Sequence, residues 1–226
     1  MNFKRLSLVG LVCVAAYIAF GLRISNSLTI DDHVAIGSLQ IGNDCGLTFN
    51  EFEDELKCIR KIQLEVQRIG ELKCANRSDT IEPIDYIDRS YGCCSARARF
   101  IEKTLRSVGF ETRRVFLIKP YRGISVSNLF PLAQSSHSSS EVLTSRGWMG
   151  VDSNYPQILL DAENLPYSYK EGLSDQALKA TMTPSNIFIG EIDVIYGLYS
   201  RHGFSYGVKI PGPEFDFNEI LWNFGA

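Results

Sequence analysis

Residues 90–100 read SYGCCSARARF, and the two adjacent cysteines stand at the head of a helical pattern. Ala98, Ile101, Leu105 and Val108 recur behind them at helical spacing, and Gly109 follows as a stop. Cys94 lies four residues before Ala98, on the apolar side of that helix, whereas Cys93 points about 100° away. A thiol in the first turn of a helix meets unpaired N–H groups and the positive end of the dipole, and both favour a thiolate. Cys94 is therefore the candidate nucleophile and Cys93 a structural or incidental neighbour. The competing readings are a buried or disulfide-bonded cysteine at 94 and a vicinal bridge to Cys93. A zinc site is the weakest reading, because the chain has no Cys-x-x-Cys pair and adjacent cysteines make poor ligands.

A thiol nucleophile needs a base, and the base needs an orienting group. The chain offers three histidines, His33, His137 and His202. His137 opens the stretch HSSSEVLTSRGWMGVDSNY (137–155), which reads as a hairpin with strands at about 137–144 and 148–152 around Ser145-Arg146-Gly147. Asp152 closes the return strand, so a carboxylate and an imidazole meet on neighbouring strands. Such a carboxylate fixes the tautomer and stabilises the imidazolium. A tight turn places Asp152 opposite residue 140 or 141, so a wider turn, a bulge or strong twist is needed to close the gap to His137. Glu141 shares the face of His137 by strand alternation and reads as a supporting or surface group. Trp148 reads as core packing, His202 as a satisfied histidine, and His33 as part of a linker.

Upstream, Thr48 and Glu51 have capping-box spacing, and Phe52, Leu56, Ile59, Val66 and Ile69 follow at helical spacing. A helix is expected over 49–69, stopped by Gly70. Cys45 precedes it and Cys58 lies inside it, so no bridge between them is expected, and Cys58 reads as a small buried apolar residue. Residues 71–91 read as a loop holding an Asn76-Arg77-Ser78 glycosylation triplet, TRRVFLI (112–118) as a strand, 160–180 as polar and mixed, and 186–200 as a strand or short helix. The aromatic tail is expected to pack on the domain.

The composition suits one globular domain plus an extra segment: 226 residues, 45% hydrophobic, 22% charged and net charge −3. No basic stripe is present, so nucleic acid is not an expected partner. Lys4 and Arg5 precede an uncharged apolar run, Leu6–Leu22, that Arg23 closes. Its length suits a membrane-spanning signal anchor better than a cleaved signal peptide, and no small-x-small cleavage site follows it. Residues 1–23 are expected to anchor the chain in the plasma membrane, or to release it after cleavage, with 24–47 a linker and 48–226 the domain outside the cytoplasm. Cys13 would then lie in the membrane. Cys45, Cys58, Cys74, Cys93 and Cys94 would face an oxidising compartment, and an odd number leaves at least one thiol free or paired between chains.

Taken in order, these pieces resemble the transglutaminase-like branch of the papain-type cysteine enzymes. The resemblance rests on Gly92-Cys93-Cys94 with Ala98, on Arg106-Ser107-Val108-Gly109 before the strand, and on His137, Glu141-Val142, Gly147-Trp148 and Val151-Asp152. It covers about 90–155, with helix 49–69 in the place of the helix that usually comes before. Ser139 stands where the family often has an aromatic residue, and Ser153 where it commonly has proline. The resemblance implies an α+β fold with helices packed on an antiparallel sheet, and the roles of nucleophile for Cys94, base for His137 and orienter for Asp152. It further implies acyl transfer from a protein or peptide substrate through a thioester, without cofactor or metal, hydrolysis being preferred to amine transfer. Two rivals stand beside it. One is a catalytically silent binding or scaffold domain of an envelope assembly. The other is a structural domain in which Cys93 or Cys94 is bridged to Cys74 or Cys45.

Overall fold

The computed structural model describes residues 23–42, 45–46, 48–73, 82–119, 136–182, 191–199 and 214–225. The expected membrane anchor, the glycosylation triplet, Cys13, Cys74 and His202 lie outside these residues. Among the described residues no helix is long and apolar enough to cross a membrane.

The fold is α+β. Its sheet has four antiparallel strands, β3 (Thr112–Ile118), β4 (Ser136–Thr144), β5 (Gly147–Val151) and β6 (Asp193–Tyr196), in the order β5-β4-β3-β6. The helices that precede it are α1 (Ile30–Gly37), α2 (Phe52–Ile69), α3 (Pro83–Arg89) and α4 (Cys94–Ser107). A short parallel pair, β1 (Glu71–Leu72) and β2 (Tyr91–Gly92), ties the end of α2 to the start of α4. α5 (Tyr169–Ser174) and α6 (Gln176–Thr181) follow the hairpin. A second short pair, β7 (Leu198–Tyr199) and β8 (Glu214–Phe215), leads into α7 (Phe217–Ile220).

α2 forms because Phe52, Leu56, Ile59, Ile62 and Val66 repeat on one face, and all are buried against α4 and the hairpin. It starts at Phe52, later than expected, and no side chain caps it. That delay lengthens the extended arm before it and explains a correction: Cys45 and Cys58 are disulfide-bonded. Cys58 sits only six residues into the helix, about 9 Å along its axis. The stretch between Cys45 and the helix start can span up to about 20 Å, enough for Cys45 to reach Cys58, 4.9 Å away between Cα atoms. Gly70 ends the helix in extended rather than left-handed backbone.

A second correction concerns 24–47. Its described part is no linker but a layer of the domain. Thr29 and Asp32 form a reciprocal capping box at α1, and Ile24, Ala35, Ile36 and Leu39 are buried. The expected loop at 71–91 likewise contains α3, whose Tyr86 is buried against Gly70 and Gly92.

The reason lies on α4. Its expected stripe is buried, but so are Arg97, Arg99, Glu102, Lys103 and Thr104. Buried charges require partners, and the segments read as linker and tail supply them. Lys103 meets Asp32 at 2.6 Å and Glu82 at 3.1 Å. Arg99 meets Glu82 at 3.1 Å and the side chain of Asn26. Glu102 accepts from Tyr199 at 2.8 Å, and Arg106 meets Glu219 of α7 at 2.9 Å. Burial and the neighbouring Glu102 push the Glu219 carboxyl up to about 8.

Asp32→Ala leaves Lys103 buried with half of its partners. Removing one member of a buried pair costs roughly 3–5 kcal/mol, so the urea midpoint should fall markedly. An unchanged midpoint would restore the linker reading of this segment.

Candidate active site

The strand that delivers the paired cysteines passes close against α3. A Cβ on Gly92 would lie 2.7 Å from the Tyr86 ring and 2.8 Å from the Cβ of Ala96, so only glycine fits there. Cys93 is then the N-cap of α4 and Cys94 its first residue. Cys93 is disulfide-bonded, and its partner lies outside the described residues. Cys94 is free and half-buried. The bridged reading therefore holds for Cys93 and fails for Cys94.

The hairpin supplies the candidate base, His137. A two-residue turn, Ser145-Arg146, pairs Thr144 with Gly147, and Gly147 takes φ +124°, a left-handed conformation that suits glycine. The register then runs to Ser140 opposite Val151. Continued, it would set Asp152 opposite Ser139 and residue 153 opposite Ser138, one step from the expected pairing. β5 instead stops at Val151. Asp152 shares a face with His137 and reaches it diagonally, a contact within range of longer side chains. His137 Nε2 lies 2.8 Å from Asp152 Oδ2. No bulge is required.

Where β5 leaves, the edge of β4 is open. The N–H of Ser138 donates to the Cys94 sulfur, as does the N–H of Ser95 at the helix start. The carbonyl of Ser138 accepts from Ser153 Oγ at 2.7 Å, and Ser139 Oγ donates to Val151 O at 2.6 Å. The two serines that depart from the family pattern thus tie the end of β5 to β4. Tyr169 packs beneath, its hydroxyl 2.6 Å from Ser139 Oγ.

Asp152 is held rigidly. Its Oδ1 accepts from the N–H of Asn154 and Tyr155 at 2.7 and 2.8 Å, an Asx turn. Its carbonyl accepts from Gln63 Nε2 of α2 at 2.8 Å, and the same nitrogen lies 3.0 and 2.7 Å from the carbonyls of Tyr155 and Gln157. The reading of the sequence missed Gln63. Its signal was present: a polar residue on the buried stripe formed by Ile59, Ile62 and Val66.

The electrostatics follow. His137 and Asp152 are both 1% exposed. Burial alone would lower the imidazole, but the Asp152 carboxylate and the Cys94 thiol beside it raise it to about 10. Burial likewise acts to raise the Cys94 thiol, yet the hydrogen bond and charge of His137 and the two backbone N–H groups bring it below its ordinary value. With Nε2 on Asp152, Nδ1 is the ring nitrogen left for Cys94. Each shift favours the charged form of its group, so the contact between Cys94 and His137 favours a thiolate–imidazolium pair. Because the folded-state value of His137 is raised, its stabilisation is complete below about 6.5 and lost as pH rises through about 10.

Other candidates are placed elsewhere. Glu141 is fully buried rather than on the surface. It pairs with Arg113 at 2.6 Å and accepts from the N–H of Tyr169 at 2.7 Å. Trp148 packs as expected, with Arg113 4.0 Å above its ring and Trp222 at its edge. His33 is exposed on α1. Among the described residues no cluster of side chains could hold a metal ion.

No family model matches the chain, and no curated protein matches it. Among solved structures, a crystal structure of Rad4-Rad23 bound to a 6-4 photoproduct UV lesion aligns at a TM-score of 0.31 and 13% identity. The alignment covers 74% of this chain and 43% of that one, so the chain spans less than half the length of that protein. At that score the likeness bears on neither fold nor function.

Asp152→Asn keeps the shape of the site and removes the charge that raises His137. An adjacent opposite charge is worth roughly 1–3 pK units, so the loss of the His137 proton, followed by NMR, should move down from about 10 by that amount. An unchanged titration would remove Asp152 from the ion-pair network.

Proposed function

We propose that the chain is a thiol enzyme of the transglutaminase-like, papain-like class, acting on peptide or amide bonds with Cys94 as nucleophile, His137 as base and Asp152 as orienter. The observation that carries the reading is one contiguous hydrogen-bonded line. It runs from the half-buried Cys94 thiol, through the buried His137, to the buried Asp152 at 2.8 Å. A free thiol ending such a chain, at a helix N-terminus and half-buried, is the arrangement of an activated nucleophile.

The chemistry follows from the residues. The Cys94 thiolate attacks the amide carbonyl, and a carbon–sulfur bond forms as the carbonyl electron pair moves to oxygen. Backbone N–H groups at the helix start are placed to accept that charge. The His137 imidazolium gives its proton to the leaving nitrogen as the C–N bond breaks, leaving a thioester. Water, deprotonated by the now neutral His137, then releases the acid, or an amine takes the acyl group. Hydrolysis is the preferred outcome. Nothing in this sequence of steps requires a metal or cofactor.

The setting fits export. A cysteine pair at Cys45–Cys58 and a second bridge through Cys93 suit an oxidising compartment. With Lys4 and Arg5 ahead of the apolar run 6–22, we place the domain outside the plasma membrane, tethered by that run or freed by its cleavage. The partners are then a protein or peptide substrate and the membrane, with nucleic acid excluded from the proposal by the absence of a basic stripe.

The test is the pH dependence of iodoacetamide labelling at Cys94 in the wild type and in His137→Ala. Rapid labelling is expected below about pH 7, where an ordinary thiol near 8.5 is largely protonated, and it should disappear in the variant. An ordinary thiol profile, identical in both proteins, would overturn the enzyme reading in favour of a silent scaffold.

A further inference from the structure

The outer edge of the sheet carries a second site. The bond from Gly197 N–H to Arg114 O at 3.2 Å, with the β3–β6 register, identifies Arg114–Gly197 and Phe116–Ile195 as the hydrogen-bonded pairs. Tyr196 and Val194 therefore point their N–H and C=O groups away from β3, off the edge of the sheet. At Tyr196 both are met by one side chain. Its N–H donates to Asn223 Oδ1 at 2.9 Å, and its C=O accepts from Asn223 Nδ2 at 3.1 Å. A carboxamide there copies the pairing of a neighbouring strand. Two residues earlier nothing copies it: among the described residues no group meets the outward N–H or C=O of Val194.

The surroundings state what would. Val194, Tyr196 and Ile192 share one face of the strand, and with Leu173 of α5 they line a cavity of about 380 Å³, to which Lys170 and Ser174 add polar atoms. Asp193, at the start of β6, also borders the cavity, and the exposed Glu191 just before the strand lies within electrostatic reach of it. Among the described residues neither carboxylate has a cation within ion-pair range. Burial and Glu191 hold the Asp193 carboxyl above its ordinary value, so a cation arriving beside it relieves a standing cost. An unpaired strand edge recognises extended peptide backbone, and the pockets on its two faces read alternate side chains.

We propose that an extended peptide with alternating apolar and basic side chains adds antiparallel to β6 as a fifth strand. Its apolar residue pairs with Val194 and enters the cavity, and its basic residues lie beside Asp193 and Glu191. The orientation follows that of every pairing in this sheet. The inference does not depend on the reading of Cys94.

A fluorescein-labelled Lys-Leu-Lys-Leu-Lys-Leu peptide, followed by anisotropy against the full chain carrying Cys94→Ser, tests it. Saturable binding is expected. In antiparallel pairing the residue opposite Val194 directs its own N–H to the protein, so N-methylation of the leucines should weaken binding at least about tenfold. N-methylation of the lysines should leave it intact. The doubly substituted Asp193→Asn, Glu191→Gln chain should bind about tenfold more weakly at low salt. Equal affinity for all three peptides, or for a Glu-Leu repeat, would overturn the proposal. So would a concentration-dependent dimer that excludes the peptide, since the edge would then belong to a second copy.

Discussion

The candidate site depends on α2 gripping the hairpin at both of its ends. Glu55, buried near the start of the helix, accepts from the backbone N–H of Ser145 at 3.0 and 3.1 Å and from its hydroxyl at 2.8 Å. Two turns later Gln63 holds the carbonyls of Asp152, Tyr155 and Gln157. The first contact sets where the turn falls, and so which residues of β4 and β5 are opposed. A slip of one residue would send every side chain of β5 to the other face. The second contact fixes where β5 ends. Between them they place Asp152 one step past the last pair, where its carboxylate can reach diagonally to His137 and leave the edge of β4 to Cys94.

α4 meets opposite demands on its two sides. One side must pack apolar residues against α2 so that the helix start, and the thiol with it, does not move. The other side carries Arg99, Glu102, Lys103 and Arg106, an arrangement that would suit a solvated surface if α1 and the C-terminal segment did not cover it. Asp32 and the neighbouring Glu82 meet Arg99 and Lys103, and the Glu219 carboxyl, raised to about 8, accepts from Arg106. Arg114 extends this network to the candidate site, since its guanidinium donates to the carbonyl of Ser95, next to Cys94, at 3.2 Å. The chain ends of the domain thus help to hold the helix that presents Cys94.

This division explains which parts were legible in the sequence. The strand Thr112–Ile118 and the helix Cys94–Ser107 stand where their spacing put them, because hydrophobic periodicity reports the packing that forms them. The proximity of Cys94, His137 and Asp152 was legible too: the structure brings the three together. The charged layer was not. A Lys103 or an Asp32 looks the same in sequence whether solvated or buried, and only the fold shows that each is the other's partner. The Cys45–Cys58 bridge was hidden for a related reason: helical periodicity says nothing about the path of the extended arm before the helix. Of the two readings of Glu141, supporting or surface, only the surface one fails: a carboxylate on a strand is normally exposed, and here its neighbour Arg113 makes burial tolerable.

The two cysteines of SYGCCSARARF end with opposite fates, and geometry separates them. Cys93 precedes the helix in extended backbone, so its side chain leaves the helix axis and is available to a second segment; it is bridged. Cys94 is one residue later, inside the helix, where its direction is fixed by the first turn and aimed at the gap beyond Val151. An oxidising compartment would be expected to consume both thiols. The sulfur of Cys94 is occupied instead by hydrogen bonds from Ser95, Ser138 and His137, and each of those favours the thiolate. A bridged sulfur could not make those contacts, and the hydrogen bonds that lower the thiol against the opposing effect of burial are the ones that would favour a nucleophilic thiolate.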